Sequence, residues 1–156
     1  MENVTQMQDW TKVAEIEIVY KSKVKPSERP LVKDAKDAYA LLMDKWDANL
    51  IEIQEQFKVV FLNRASKVLG LLNLSTGGKT STIADPGLIL AAAMKAGATS
   101  ILIAHNHPTG TLKPSQADLA LTQKLKMAAA YHDINMADHI IVTTEGYYSM
   151  TDNGDL

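Results

Sequence analysis

Ser100-Ile101-Leu102-Ile103-Ala104 is an unbroken apolar run of strand length, and it leads directly into His105-Asn106-His107-Pro108-Thr109-Gly110. Such a run suits a strand buried on both faces in the middle of a sheet. Pro108 and Gly110 force a loop just beyond it. The chain is therefore constrained to deliver two imidazoles, at i and i+2 on one side of an extended backbone, to the end of a central strand. Ser115-Gln116-Ala117-Asp118 follows, a Ser-x-x-acid helix start with aspartate in place of the usual Glu or Gln. Two imidazoles and a carboxylate fixed by a helix cap can hold a divalent cation and leave a position open for water.

The segments on either side predict an α+β chain. Ala14 to Tyr20 alternates polar and apolar residues and reads as a half-buried strand. Lys33 to Trp46 has apolar residues at three- and four-residue steps and reads as a helix, with Trp46 in the core. Gln54 to Leu62 and Lys67 to Leu74 read as an antiparallel hairpin across the turn Asn63-Arg64-Ala65-Ser66, broken by Ser75-Thr76-Gly77-Gly78. The Phe57 to Leu62 strand is a candidate sheet edge. Asp85-Pro86 caps a buried helix that Gly97 ends. The helix begun at Ser115 runs to about Tyr131. Ile134 to Met136 reads as an edge segment, Asp138 to Thr143 as a strand, Tyr147 to Met150 as a last short strand, and the tail after Asp152 as loose. This order favours a mixed α+β sandwich over regular βαβ winding.

Composition narrows the function classes. The chain has 156 residues, 46% of them hydrophobic, which suits one domain with a real core: residues 13–154, after a disordered segment 1–12. Cysteine is absent, so a disulfide framework and a thiolate metal site are both excluded. No apolar run approaches the roughly 20 residues of a membrane span, and the polar N-terminus carries no leader pattern, so the expected location is cytoplasmic. The net charge of −2 gives no field for nucleic acid. The basic connector Lys21 to Pro30 is the one local feature that favours phosphates, and such a stretch is ordinarily a solvated arm.

Taken singly, each residue of the cluster has a plain structural reading. A lone histidine on an apolar face is usually a satisfied core residue, Ser115 a helix cap, and Asp118 a first-turn acid that suits the helix dipole. Their coincidence within a short stretch points to a site. His132 reads as a helix-end residue, and His139 as a structural histidine that is the better spare candidate. Three other His-x-His contexts fail. The nuclease family whose name is spelled by His-Asn-His spreads those residues over a ββα unit. Beta-lactamase-type sites need an aspartate where Thr109 stands, and amidohydrolase barrels need about 250 residues.

The pattern His105-x-His107-Pro108-x-Gly110, then Ser115-x-x-Asp118, resembles the JAB/MPN (JAMM) metal-site motif. Glu55-Gln56-Phe57, Leu62-Asn63, Gly77-Gly78, Asp85-Pro86, Leu112-Lys113-Pro114-Ser115, Asp138-His139 and Gly146-Tyr147-Tyr148-Ser149 are similar to the RadC-like branch of that family, the so-called DNA repair protein RadC family, over about residues 14–154. Gly87 stands where that branch has Arg, and Thr109 where it has Ser. Longer members carry a helix-hairpin-helix region for which this chain has no room, so it resembles the short form found on mobile elements. The resemblance implies an α+β fold, a JAB/MPN-like (cytidine deaminase-like) mixed sheet flanked by helices. It implies zinc held by His105, His107 and Asp118, with water as fourth ligand. Glu55 is then the acid that moves the proton, with Glu52 as fallback, and Ser115 supports the oxyanion. Asn106 pins the loop between the ligands. The implied activity is zinc-dependent hydrolysis of a peptide, isopeptide or related amide. The alternatives are a DNA-repair or mobile-element accessory protein with a structural or vestigial metal, and metal-dependent phosphodiester hydrolysis. Specificity is expected from the loops Ser75 to Ile83 and Thr109 to Pro114. The sequence does not specify the oligomeric state.

Overall fold

The computed structural model describes residues 9–77 and 84–156. Residues 1–8 of the expected loose N-terminal segment, and Gly78 to Ile83 of the first expected specificity loop, lie outside the described residues. The elements are α1 (Ala35–Lys45), β1 (Gln56–Leu62), β2 (Val68–Thr76), α2 (Pro86–Ala96), β3 (Ser100–Asn106), α3 (Gln116–Ala130), β4 (Asn135–Thr143), β5 (Gly146–Ser149) and α4 (Met150–Asn153). The five strands form one mixed sheet in the order β2-β1-β3-β4-β5. The β3–β4 pair is parallel and the other pairs are antiparallel.

Side-chain alternation along the inner strands feeds two cores. Phe57, Val59 and Phe61 of β1, with Ile101 and Ile103 of β3, pack against Ile89 and Ala93 of α2 and Leu125 and Ala129 of α3. Val60, Leu62, Leu102 and Ala104 point the other way and pack against Ala38 and Leu42 of α1. The sheet is thus a middle layer with helices on both faces, which is why β3 reads as a continuous apolar run. Trp46 is buried in the α1 core, as its spacing predicts. The helix signals are also realised. Asp34 caps α1 by accepting from the Asp37 amide, Asp85 caps α2 by accepting from the Gly87 amide, and Gly97 ends α2 with φ of 67°.

Several expectations are corrected. The segment Ala14 to Tyr20 forms no strand; Ala14 to Val19 lie exposed on the surface and Tyr20 is half-buried. The segment's alternation supplies an apolar face, but a strand also needs a ladder partner for its backbone, and the chain brings none to it among the described residues. The Phe57 to Leu62 strand is not an edge, because β2 and β3 flank β1 on both sides. The hairpin's second strand runs on to Thr76, paired with Gln56. Ile134 to Met136 is not separate from the next strand: Met136 pairs with Ile101 and Asp138 with Leu102, so Ala137 is a bulge within one β4. The tail is not loose. Ser149 caps α4, Met150 is fully buried, and the Tyr148 hydroxyl donates to Asp155 at 2.6 Å. None of the described helices is long and apolar enough to cross a membrane.

Candidate metal centre

His105 is the penultimate residue of β3 and points to the α3 side of the sheet, the side of Ile101 and Ile103. His107 follows as β3 ends. Asp118 stands in the first turn of α3, where a complete capping box holds it: the Asp118 amide donates to Ser115 Oγ at 3.1 Å, and the Ser115 amide donates to Asp118 Oδ2 at 2.7 Å. The cap aims the carboxylate at the two imidazoles. His105 Nε2 lies 2.9 Å from His107 Nε2 and 3.3 Å from Asp118 Oδ1, and His107 Nε2 lies 3.5 Å from Asp118 Oδ2. One ligand atom from each of the three residues lies within 4.8 Å of the others, and tetrahedral coordination at about 2.0 Å separates ligand atoms by roughly 3.3 Å, so the group is compact enough to surround one cation.

The proton positions also fit a cation. The Thr111 carbonyl accepts from His107 Nδ1 at 2.7 Å, so in the neutral ring the proton sits there and Nε2 carries the lone pair. The Thr122 hydroxyl donates to the Asp118 carbonyl at 2.7 Å, so it accepts from His139 Nδ1 at 2.6 Å. His139 Nε2 then accepts from His105 Nδ1 at 2.8 Å, and His105 Nε2 is left as a second lone pair. Two lone pairs facing each other at 2.9 Å repel unless a positive charge lies between them. Burial keeps His139 neutral by pushing its pKa well below the imidazole range. The hydrogen bond to Asp118 raises His107, while the two histidines outweigh burial to hold Asp118 far below the carboxylate range.

Glu55 stands immediately before β1. Phe57, two residues further on, pairs with His105 as the end pair of the β1–β3 ladder. The charge of Glu55 is close enough to help raise His107. Asn106 fixes this end of the ladder. Fully buried, it donates from Nδ2 to the carbonyls of Ile51 (2.7 Å) and Gln54 (2.9 Å) and accepts from the Gln56 amide at 2.7 Å. The pinning role expected of Asn106 is thus directed at the backbone on either side of Glu55. Glu52 is exposed and accepts from the Thr144 hydroxyl at 3.0 Å, on the wall of a cavity of about 180 Å³ that also reaches His107. His132 is exposed at the end of α3, as expected.

The profile of the RadC-like JAB domain matches residues 32–155. The chain belongs to the RadC-like JAB family. A UPF0758 protein of Flavobacterium johnsoniae is 44% identical over 100 residues, covering 64% of this chain and 44% of its own length. A UPF0758 protein of Porphyromonas gingivalis is 41% identical over 102 residues, covering 65% and 45%. One from Cyanothece is 37% identical over 128 residues, covering 81% and 51%. The chain therefore spans about half the length of the curated relatives it matches.

Within this RadC-like domain, Thr122 and the inner role of His139 escape a reading of the sequence. His139 stands out only as a spare histidine, because its partner His105 is 34 residues away. Thr122 leaves one signal, its place one helical turn after Asp118.

Proposed function

We propose that this RadC-like domain is a zinc-dependent hydrolase of amide bonds, acting on peptide or isopeptide substrates. The observation that carries the reading is the gathering of ligand atoms from His105, His107 and Asp118 within 4.8 Å of one another, with the charge of Glu55 near enough to act on His107. His105, His107 and Asp118 would hold the zinc. Two neutral imidazoles and one carboxylate leave a divalent ion with residual positive charge. When bound, zinc supplies Lewis acidity toward water or a substrate carbonyl.

The chain's own groups do the rest. Glu55 takes a proton from the attacking water and passes it to the departing amine. Ser115 Oγ accepts in the helix cap, so its hydroxyl proton is the one to donate to the carbonyl oxygen as negative charge builds there. Thr111, His139 and Thr122 keep both ligand imidazoles in the tautomer that faces the cation.

The test is bound zinc measured on freshly purified protein and on His107→Ala, followed by a screen of peptide and isopeptide substrates with zinc-loaded protein. Stoichiometric zinc in the natural protein and its loss in the variant support the site. Equal zinc in both overturns it. Turnover that responds to chelator on a phosphodiester, and not on any amide, overturns the substrate class.

A further inference from the structure

The segment Glu15 to Lys23 has the alternation of a strand, yet it finds no ladder partner among the described residues. Ile16 is 87% exposed, and Ile18 and Val19 are each 54% exposed. Tyr20 ties the stretch to the sheet: its hydroxyl donates to the Leu69 carbonyl at 2.6 Å, on β2, an edge strand. Beside it, Ile18, Val19 and Tyr20 line an apolar cavity of about 400 Å³ with Leu72 of β2 and Leu88 and Ala92 of α2. An apolar stretch of this kind, held at a sheet edge, is a pairing surface.

The charges identify its occupant. Glu15 and Glu17 precede Val19, and Lys21 and Lys23 follow it, all four on one face of an extended chain. Ile16, Ile18 and Tyr20 occupy the other face. We propose that this segment pairs antiparallel with the same segment of a second copy, about a two-fold axis at Val19. In that register Glu17 faces Lys21 of the second copy, Glu15 faces its Lys23, and Ile18 faces its Tyr20. Every charged pair is then opposite in sign, and each occurs twice by symmetry. A shift of register by one residue would bring charges opposite apolar side chains and turn the apolar face outward. The self-complementarity favours a second copy over an unrelated strand.

Sedimentation of the full chain across a micromolar dilution series tests this. The natural protein is expected to be a dimer. Glu17→Lys and Lys21→Glu each put like charges opposite one another at two symmetric positions, and each should weaken self-association by about tenfold or more. An equimolar mixture of the two variants restores opposite charges at both positions and should dimerise as the natural protein does. Circular dichroism unchanged in both variants separates lost pairing from lost folding. A monomer at every concentration, variants that dimerise like the natural protein, or a mixture no tighter than its components overturns the proposal. None of these readings depends on zinc or on turnover.

Discussion

His105 Nδ1 lies 2.8 Å from His139 Nε2, with both rings buried against the α3 side of the sheet. The contact sets which nitrogen of His105 faces Asp118, and it is continued through Thr122 to a backbone carbonyl. Replacing His139 by Leu leaves the His105 N–H buried without an acceptor, a loss of about 1–3 kcal/mol. It also frees the ring to turn, which should weaken zinc binding roughly 10–100-fold. His139→Gln keeps a side-chain oxygen as acceptor and should recover part of that loss. Competition with a chromophoric chelator measures the affinity, and thermal melts of the zinc-free proteins measure the stability. A His139→Leu protein with unaltered affinity would show that the contact is packing alone.

Glu55 is assigned the proton and no share of the metal. Glu55→Gln keeps the shape of the side chain and should retain full zinc content. Its turnover should fall by about 10²–10⁴. Glu52→Gln, which alters an exposed carboxylate held by Thr144, should leave turnover near that of the natural protein. Reversal of this pair of results would transfer the role to Glu52.

Asn106 separates positioning from ligation. Asn106→Ala strands the Gln56 amide and removes the donor to the Ile51 and Gln54 carbonyls, at a cost of about 2–4 kcal/mol. The stretch carrying Glu55 then loses its anchor while His105, His107 and Asp118 keep theirs. At a temperature where the variant remains folded, turnover should drop and zinc content should hold. Loss of zinc in step with turnover would place Asn106 in the support of the ligands instead.

Local chemistry made the β3 run, the capping box and the hairpin legible, because each is specified by residues close in sequence. The gathering of His105, His107 and Asp118 is legible for the same reason: two of them share a strand end and the third a helix cap. What escaped depends on contacts between distant segments. The alternation at Ala14 to Tyr20 describes a face and says nothing of whether a ladder is present to receive it. The single turn of α4 is held by the burial of Met150 and by Tyr148 reaching Asp155, which the tail's own residues do not announce. Alternation does not reveal how many neighbours a strand has, so nothing in the residues of β1 tells that β2 and β3 flank it.

The pH dependence of zinc stabilisation follows from His107. In the cation-free protein its hydrogen bond with Asp118, the largest influence, raises its pKa above the ordinary value near 6.5 despite partial burial. A raised folded pKa means that the folded protein binds this proton more tightly than the unfolded chain. That contribution to stability is complete below about 6.5 and disappears as pH climbs through the raised folded value. Zinc needs the Nε2 lone pair, so below the raised value each ion bound must displace a proton, and affinity should fall about tenfold per unit of pH. The gain in melting temperature on adding zinc should therefore grow as pH rises through the region above 6.5, then flatten once His107 is neutral without the ion. Calorimetric melts with and without zinc between about pH 6 and 9 measure it. A zinc-induced gain that stays constant across that range would mean that no proton leaves His107 on binding, and His107 would not be a ligand.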